Sequence, residues 1–436
     1  MFSQNVFVLK SEKLPRKEVT SMKVDSIETI HLYFEYPEGK SFSTPAGPVK
    51  GRMTTLVQVH ADNGMTGMGS AYAHPAMVEA AIQHLTPLLK GRAITDSEYD
   101  PLSQFMRGDD QIERLWRGMY VWTRWSGRKG AAMVALGGID QALWDLRGKA
   151  EDKPAWRLLG GETSKCPAYA SGMLYGNSPE ETAEIAGEMV ERGFRRVKMR
   201  IGYSWEYDVA AVRAVRSTIG NDIDLMCDGT WRFDLESARR MARELVANRV
   251  FWFEEPFEAD DLDNYVALRG TVGLPLATGE NEFGFEGFRE LIRIAAVDIV
   301  QPDASRCGGI SEVIRTAKLA RTAGLRFAPH SWCDPVAVIA NAHVVASHDN
   351  GITVEIDQTG NRFIEELLGY PLTVSEGMLD LGERPGLGIE LDPSALKEFR
   401  VARPADIPIG NHCDIILGPP TVLQPIPPYE GPEGNV

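Results

Sequence analysis

Short apolar runs recur from residue 167 to residue 356, and most are separated by stretches whose apolar positions repeat at helical spacing. A short apolar run bounded by turn residues predicts a buried strand, and a 3.6-residue period predicts an amphipathic helix. The predicted strands are Pro167–Ala170, Arg196–Ile201, Ile223–Asp228, Val250–Glu254, Pro275–Glu280, Asp298–Asp303, Arg326–His330 and Ile352–Ile356. Helices expected between them include Glu180–Arg192, Val209–Ser217, Leu235–Ala247 and Ile310–Ala323. Eight strands at this spacing match the count of a parallel (β/α) barrel, in which every strand is returned by a helix.

The chain ahead of the repeat reads differently. Ile27–Phe34 is mostly apolar and Thr54–His60 partly alternates, so both predict strands. Asp62-Asn63-Gly64 then supplies a hairpin turn, because Asn-Gly tolerates positive φ at both central positions. Gly64, Gly67 and Gly69 fall in that hairpin and not between a strand and a helix, which excludes them as a phosphate loop. From residue 77 to about residue 160 the pattern is helical, most clearly over Ala132–Lys149. After residue 360 it turns loop-like and proline-rich, with Pro419, Pro420, Pro425, Pro427 and Pro428 near the end. The expected organisation is a capping domain over residues 1–160, a catalytic barrel over 161–360, and a segment over 361–436 that packs back on the first domain.

Composition narrows the function. A chain of 436 residues suits two domains, and 43% hydrophobic with 25% charged residues is ordinary for a soluble protein. A net charge of −15 argues against nucleic acid, whose phosphates call for clustered Lys and Arg. Five cysteines without paired metal spacing fit a reducing compartment. No run has the length of a membrane span, and the N-terminus lacks the apolar stretch of a signal peptide, so the expected address is the cytoplasm.

The ends of the predicted strands carry the chemistry. Asp228, Glu254 and Glu280 follow one another at intervals of 26 residues, and Asp303 and His330 continue the series. Such a period places them at the C-terminal ends of neighbouring strands, the active-site face of a barrel. Carboxylates about 4 Å apart repel by roughly 4 kcal/mol per pair at an effective dielectric near 20, so three of them call for a cation. All-oxygen ligation with room for water and substrate points to Mg²⁺ over zinc. His330, one strand beyond Asp303, is the candidate base, with Asp303 to orient its ring. Lys198 and Arg200 lie two apart on the second strand and so share a face, which inside a barrel is the substrate side. Glu355 on the eighth strand completes the ring.

These residues carry a resemblance. Asp228-Gly229 before Trp231, Glu254-Glu255-Pro256, Gly279-Glu280-Asn281, Pro302-Asp303 with Gly308-Gly309, and His330 all fit one pattern. Ala142-Leu143-Trp144-Asp145 with Gly148-Lys149, and Pro385-Gly386-Leu387-Gly388-Ile389-Glu390, fit it as well. The chain resembles the enolase superfamily, mandelate racemase subgroup, over nearly its whole length. The resemblance implies an α/β fold, a modified (β/α)8 TIM-type barrel of (β/α)7β form under an N-terminal α+β capping domain. It implies Mg²⁺ on Asp228, Glu254 and Glu280, the His330–Asp303 dyad as base, Lys198 on a substrate carboxylate and Glu355 on its oxygen. The resemblance also implies a homo-oligomer, from dimer to octamer.

The chain departs from the pattern at two positions. Racemising members usually carry a second lysine base where this chain has Arg200, and an arginine is a poor base and a good clamp. That leaves a one-sided mechanism: His330 removes the C2 proton of a sugar acid, and the C3 hydroxyl leaves to give a 2-keto-3-deoxy acid. The alternative is a racemase, epimerase or cycloisomerase on the same site. Thr230 stands where asparagine is common and is a candidate substrate contact, with Asn281, Arg306 and Trp332. Arg52 and His74, in the expected capping loops near Tyr36–Arg52 and Tyr72–His74, are candidates for a polar distal group. Lys50 belongs with them, though loop cations are commonly just solvated. The remaining histidines, His31, His60, His84, His343, His348 and His412, read as structural, with no partner visible in the sequence.

Overall fold

A computed structural model describes residues 22–37, 43–44, 47–96, 106, 108–174, 178–408 and 429. The proline-rich end, Cys413, His412 and part of the Tyr36–Arg52 loop therefore lie outside the described residues.

Two long antiparallel strands, Val24–Glu35 and Gly51–Ala61, pair along their lengths, and the second turns into Thr66–Ala71. The turn follows from its residues: the Asn63 side chain accepts the Met65 N–H, and Gly64 sits at φ 86°. Helix Ala131–Glu151 lies across this sheet. The approach is so close that a Cβ at Gly67 would stand 2.0 Å from the Ala142 carbonyl oxygen, and one at Gly69 the same distance from that of Gly138. Those glycines are contact residues of a helix–sheet interface, which is why the hairpin carries them. Helices Pro75–Leu89 and Gln111–Thr123 complete the cap. At the far edge of the sheet, Arg400–Val401 pairs antiparallel with His31 and Leu32.

The barrel strands are Lys165–Met173, Arg196–Arg200, Asp224–Asp228, Val250–Glu254, Leu276–Thr278, Ile299–Val300, Arg326–Phe327 and Val354–Asp357. They pair in parallel in chain order from first to seventh, and the eighth pairs with the first. Between the seventh and eighth runs the link is one parallel bridge, Phe327 to Gly351. Tyr169, Met226, Trp252, Ala277, Ile299 and Ala328 form a separate buried layer, a floor of apolar side chains beneath the strand ends. Ser178 with Glu181, and Asp234 with Ser237, close capping boxes on helices Pro179–Glu191 and Leu235–Ala247.

The region after residue 360 departs from its loop-like reading. It holds helices Arg362–Glu366 and Pro393–Phe399, and strand Met378–Asp380 pairs antiparallel with the first barrel strand. Elements this short carry no readable period. Asp145 ties the region to the cap, accepting from the Leu387 and Met68 backbone N–H groups.

His343 likewise joins distant segments and does have partners. Its Nδ1 accepts the Trp156 N–H at 3.0 Å, so Nε2 carries the proton and faces the Leu387 carbonyl at 3.3 Å. Burial pushes its imidazole down to about 4 from an ordinary 6.5. Below pH 6.5 the unfolded chain takes up a proton that the folded chain refuses until about pH 4. Stability from this residue is therefore complete above pH 6.5 and falls as pH drops, by roughly 2 to 3 kcal/mol at pH 4.5. Urea unfolding of the wild type and H343Q at pH 7 and 4.5 checks this. The variant is expected to lose that much less stability between the two, and equal losses would remove the claim.

Candidate active site

Parallel register brings the acids together. Arg200 pairs with Asp228 across the second and third strands, and Asp228 pairs with Glu254 across the third and fourth. Paired residues of adjacent strands point to the same face, so these three line the barrel mouth at one level. Glu280, Asp303 and His330 lie just beyond the fifth, sixth and seventh strands, and Glu355 lies within the eighth.

Lys198 sits one level lower and reaches up. Its buried ammonium is 2.5 Å from Glu254, 2.9 Å from Glu355 and 3.5 Å from Asp228. One cation serving three acids stays charged, and its pKa is raised by Glu254 and Glu355 although burial alone would lower it. Glu254 is the acid left under-compensated. Burial, joined by Asp228, Glu355 and Glu280, pushes it up to about 7 despite Lys198. Glu355 goes the other way: burial would raise it, yet Lys198 and His330 hold it at about 2. Among the described residues, no three acid, histidine or cysteine side chains stand as a closed metal-ligating group. In this arrangement Asp228 and Glu254 turn toward Lys198.

His330 is buried and oriented. Its Nδ1 is 2.8 Å from Asp303 Oδ2, which leaves Nε2 facing Glu280 at 3.7 Å and Glu355 at 3.8 Å. Burial disfavours the charged imidazole, but Glu280, Glu355 and Asp303 outweigh it and raise it to about 9. Asp303 is itself fixed, its Oδ1 accepting from the Ser305 N–H, the Ser305 hydroxyl and Asn341. Asn341 also donates to the His330 carbonyl and accepts the Ala304 N–H, so one amide holds both members of the pair. It was missed in the sequence. The available signal was a lone amide in helix Pro335–Ser347, a helix buried on every side.

Backbone strain collects beside the acids. Thr230, Trp231 and Glu255 take φ of 48°, 61° and 35°, where side chains other than glycine cost of order 1 to 3 kcal/mol each. The surroundings hold them there. Thr230 donates its N–H to Asp228, and the Trp231 indole N–H bonds Glu255. Glu255 further accepts from Thr278 at 2.7 Å and Asn281 at 3.0 Å.

The candidate substrate contacts divide. Arg200 lies at the mouth, 3.1 Å from Asp228 and 2.9 Å from the Thr230 hydroxyl, with its guanidinium over the Trp332 ring. Arg306 and Asn281 are bound to the chain itself: Arg306 donates to the Glu280 carbonyl and to the Asn281 side chain, fixing the loop that carries Glu280. His74 caps helix Pro75–Leu89, accepting from the Ala76 N–H. Arg52 is a strand residue, not a loop cation, and it is buried with donors on Tyr36, the Trp332 carbonyl, Asp357 and Thr359. Lys50 is exposed.

Residues 32–160 match the family model for the mandelate racemase/muconate lactonizing enzyme N-terminal domain, and residues 181–395 match the enolase C-terminal domain-like model. The chain is 33% identical over 395 residues to D-galactarolactone cycloisomerase of Agrobacterium fabrum, covering 88% of this chain and 100% of that one. It is 30% identical over 346 residues to arabinonate dehydratase of Saccharolobus solfataricus, covering 79% and 89%. The crystal structure of L-talarate dehydratase from Polaromonas sp. JS666, complexed with Mg and L-glucarate, superposes with a TM-score of 0.76 at 26% identity, covering 87% and 98%.

Proposed function

This chain belongs to the mandelate racemase/muconate lactonizing enzyme family of the enolase superfamily, and from that premise we propose that it is a magnesium-dependent dehydratase of a sugar acid. The observation that carries the reading is a single positioned base: His330 held by Asp303 beside the carboxylate cluster, with Arg200 where a second base would stand.

The donor set fits magnesium. Asp228, Glu254 and Glu280 are hard oxygen donors from consecutive strand ends, and burial together with like-charge neighbours already lifts Glu254. Bound there, the ion supplies the positive charge that makes loss of a proton beside a carboxylate accessible at neutral pH. Lys198, held charged among the acids, adds a second positive charge for the substrate carboxylate. His330 takes the C2 proton at Nε2, because Nδ1 is committed to Asp303. Glu280 is the first of the charges that raise His330, so a cation held by Glu280 would bring the imidazole down toward the range a base needs. The imidazolium can then return the proton to the departing C3 hydroxyl on the same face; the enol left behind ketonises, its hydroxyl proton going to solvent as C3 takes one up, which gives the 2-keto-3-deoxy acid. Arg200, charged at every working pH, binds substrate oxygen and takes no proton.

A second reading has its own support. The match to D-galactarolactone cycloisomerase spans that whole relative, so a cycloisomerase on the same site is the alternative. Incubation with aldonic acids, aldaric acids and their lactones, followed by a 2-keto acid assay and mass spectrometry, separates the two. Loss of 18 mass units with keto acid formation is the expected result. A lactone consumed without change of mass would replace the dehydratase with the cycloisomerase.

A further inference from the structure

Three side chains from three separate regions meet beside the mouth. The Arg52 guanidinium, from cap strand Gly51–Ala61, lies 3.9 Å over the Trp332 ring, and the Arg200 guanidinium lies 5.0 Å from the same ring. Arg52 is pinned: Nε donates to Tyr36 at 3.1 Å, Nη1 to the Trp332 carbonyl at 3.1 Å, and Nη2 to Asp357 at 2.5 Å and Thr359 at 3.0 Å. Asp357, itself buried, neutralises it, so its charge is not available to steer a ligand. What remains is geometry. Arg52 grips both the backbone and the face of Trp332, two residues beyond His330, and Trp332 in turn presents its ring to Arg200.

We propose that Arg52 is a positioning residue that sets the substrate-binding guanidinium of Arg200 through the indole of Trp332. Arginine suits this role where lysine does not, because a planar guanidinium stacks on an indole while directing donors along its edges. The inference rests on the proposed function only for the statement that Arg200 binds substrate.

The test uses the full-length protein with Mg²⁺ and the variants R52K, W332F, W332L, R200K and the double variant R52K/R200K. The first readout needs no substrate: the Arg200 Nε–H resonance, assigned by its loss in R200K. It is expected to move in R52K and W332L and to stay near its wild-type position in W332F, which keeps an aromatic face. The second is the KM–kcat split on whichever sugar acid the wild type consumes. R52K is expected to raise KM about 10-fold with kcat within about 3-fold, and to add nothing further in the R200K background. A merely structural role would show additive effects and an unmoved resonance, and either result overturns the proposal. Because R52K strains a buried ion pair, Y36F serves as the milder variant if R52K does not fold. It removes one hydrogen bond to Arg52, and an Arg200 resonance unchanged in both Y36F and W332L overturns the proposal as well. A resonance that responds in a protein consuming no sugar acid would end the activity assignment alone. Turnover with no response would end this one alone.

Discussion

Replacing His330 with asparagine is expected to lower kcat for water loss by at least about 10³-fold and to abolish exchange of the substrate C2 hydrogen in D₂O. The size follows from the position of the ring. Nδ1 is committed to Asp303 at 2.8 Å, so Nε2 is the one imidazole nitrogen directed at the carboxylate cluster, and asparagine supplies no group of comparable basicity there. Collapse of the fold is not expected, since Asp303 keeps its bonds from Ser305 and Asn341. Parallel melting curves and magnesium titrations of both proteins check that point. A variant that exchanges C2 hydrogen at the wild-type rate would remove His330 from the chemistry and leave the site without a base.

Stripping divalent cations produces the second large effect. EDTA-treated protein is expected to fall below about 1% of its turnover and to recover on addition of Mg²⁺, because no side chain replaces the ion's charge at the substrate carboxylate. Asp228→Asn is expected to weaken magnesium binding by about 10²-fold or more by calorimetry, consistent with loss of one of three hard donors. Lys198 retains Glu254 and Glu355 in that variant, so it is not left as a buried unpaired charge. Full turnover in EDTA, or magnesium bound as tightly by D228N as by the wild type, would show that the three acids serve another purpose.

Both expectations rest on residues that were legible before any coordinates. Strand Val250–Glu254 and helix Leu235–Ala247 have the bounds that periodicity predicts, and the acids stand at or just beyond the strand ends where the 26-residue interval placed them. The interval works because one strand plus one returning helix is a fixed length of chain, and parallel pairing then puts equivalent residues side by side. Boundaries were less legible where pairing is brief. The sixth strand is laddered over Ile299–Val300 alone, since Pro302 can donate no ladder hydrogen bond and the chain there turns out to deliver Asp303.

Side-chain roles were the weaker part. Glu255 stands in the sequence only as the acid after Glu254. In the fold it is the anchor that holds Trp231 and Asn281, and burial with Glu280 nearby pushes its carboxyl up to about 8. Arg52 and His74 read as loop groups that could meet a polar distal group of the substrate. One became an internal clamp and the other a helix cap.

The sequence alone determined the barrel's strand–helix repeat and the acids and imidazole at its mouth, since hydrophobic period and chain length per repeat are local properties. Only the tertiary structure decided which charges are spent holding the protein together. Arg52 finds Asp357 across 305 residues, and Asn341 reaches Asp303 across 38. A polar side chain has the same letter whether it meets water, substrate or a buried partner, and the difference lies in what the rest of the chain brings within about 3 Å of it.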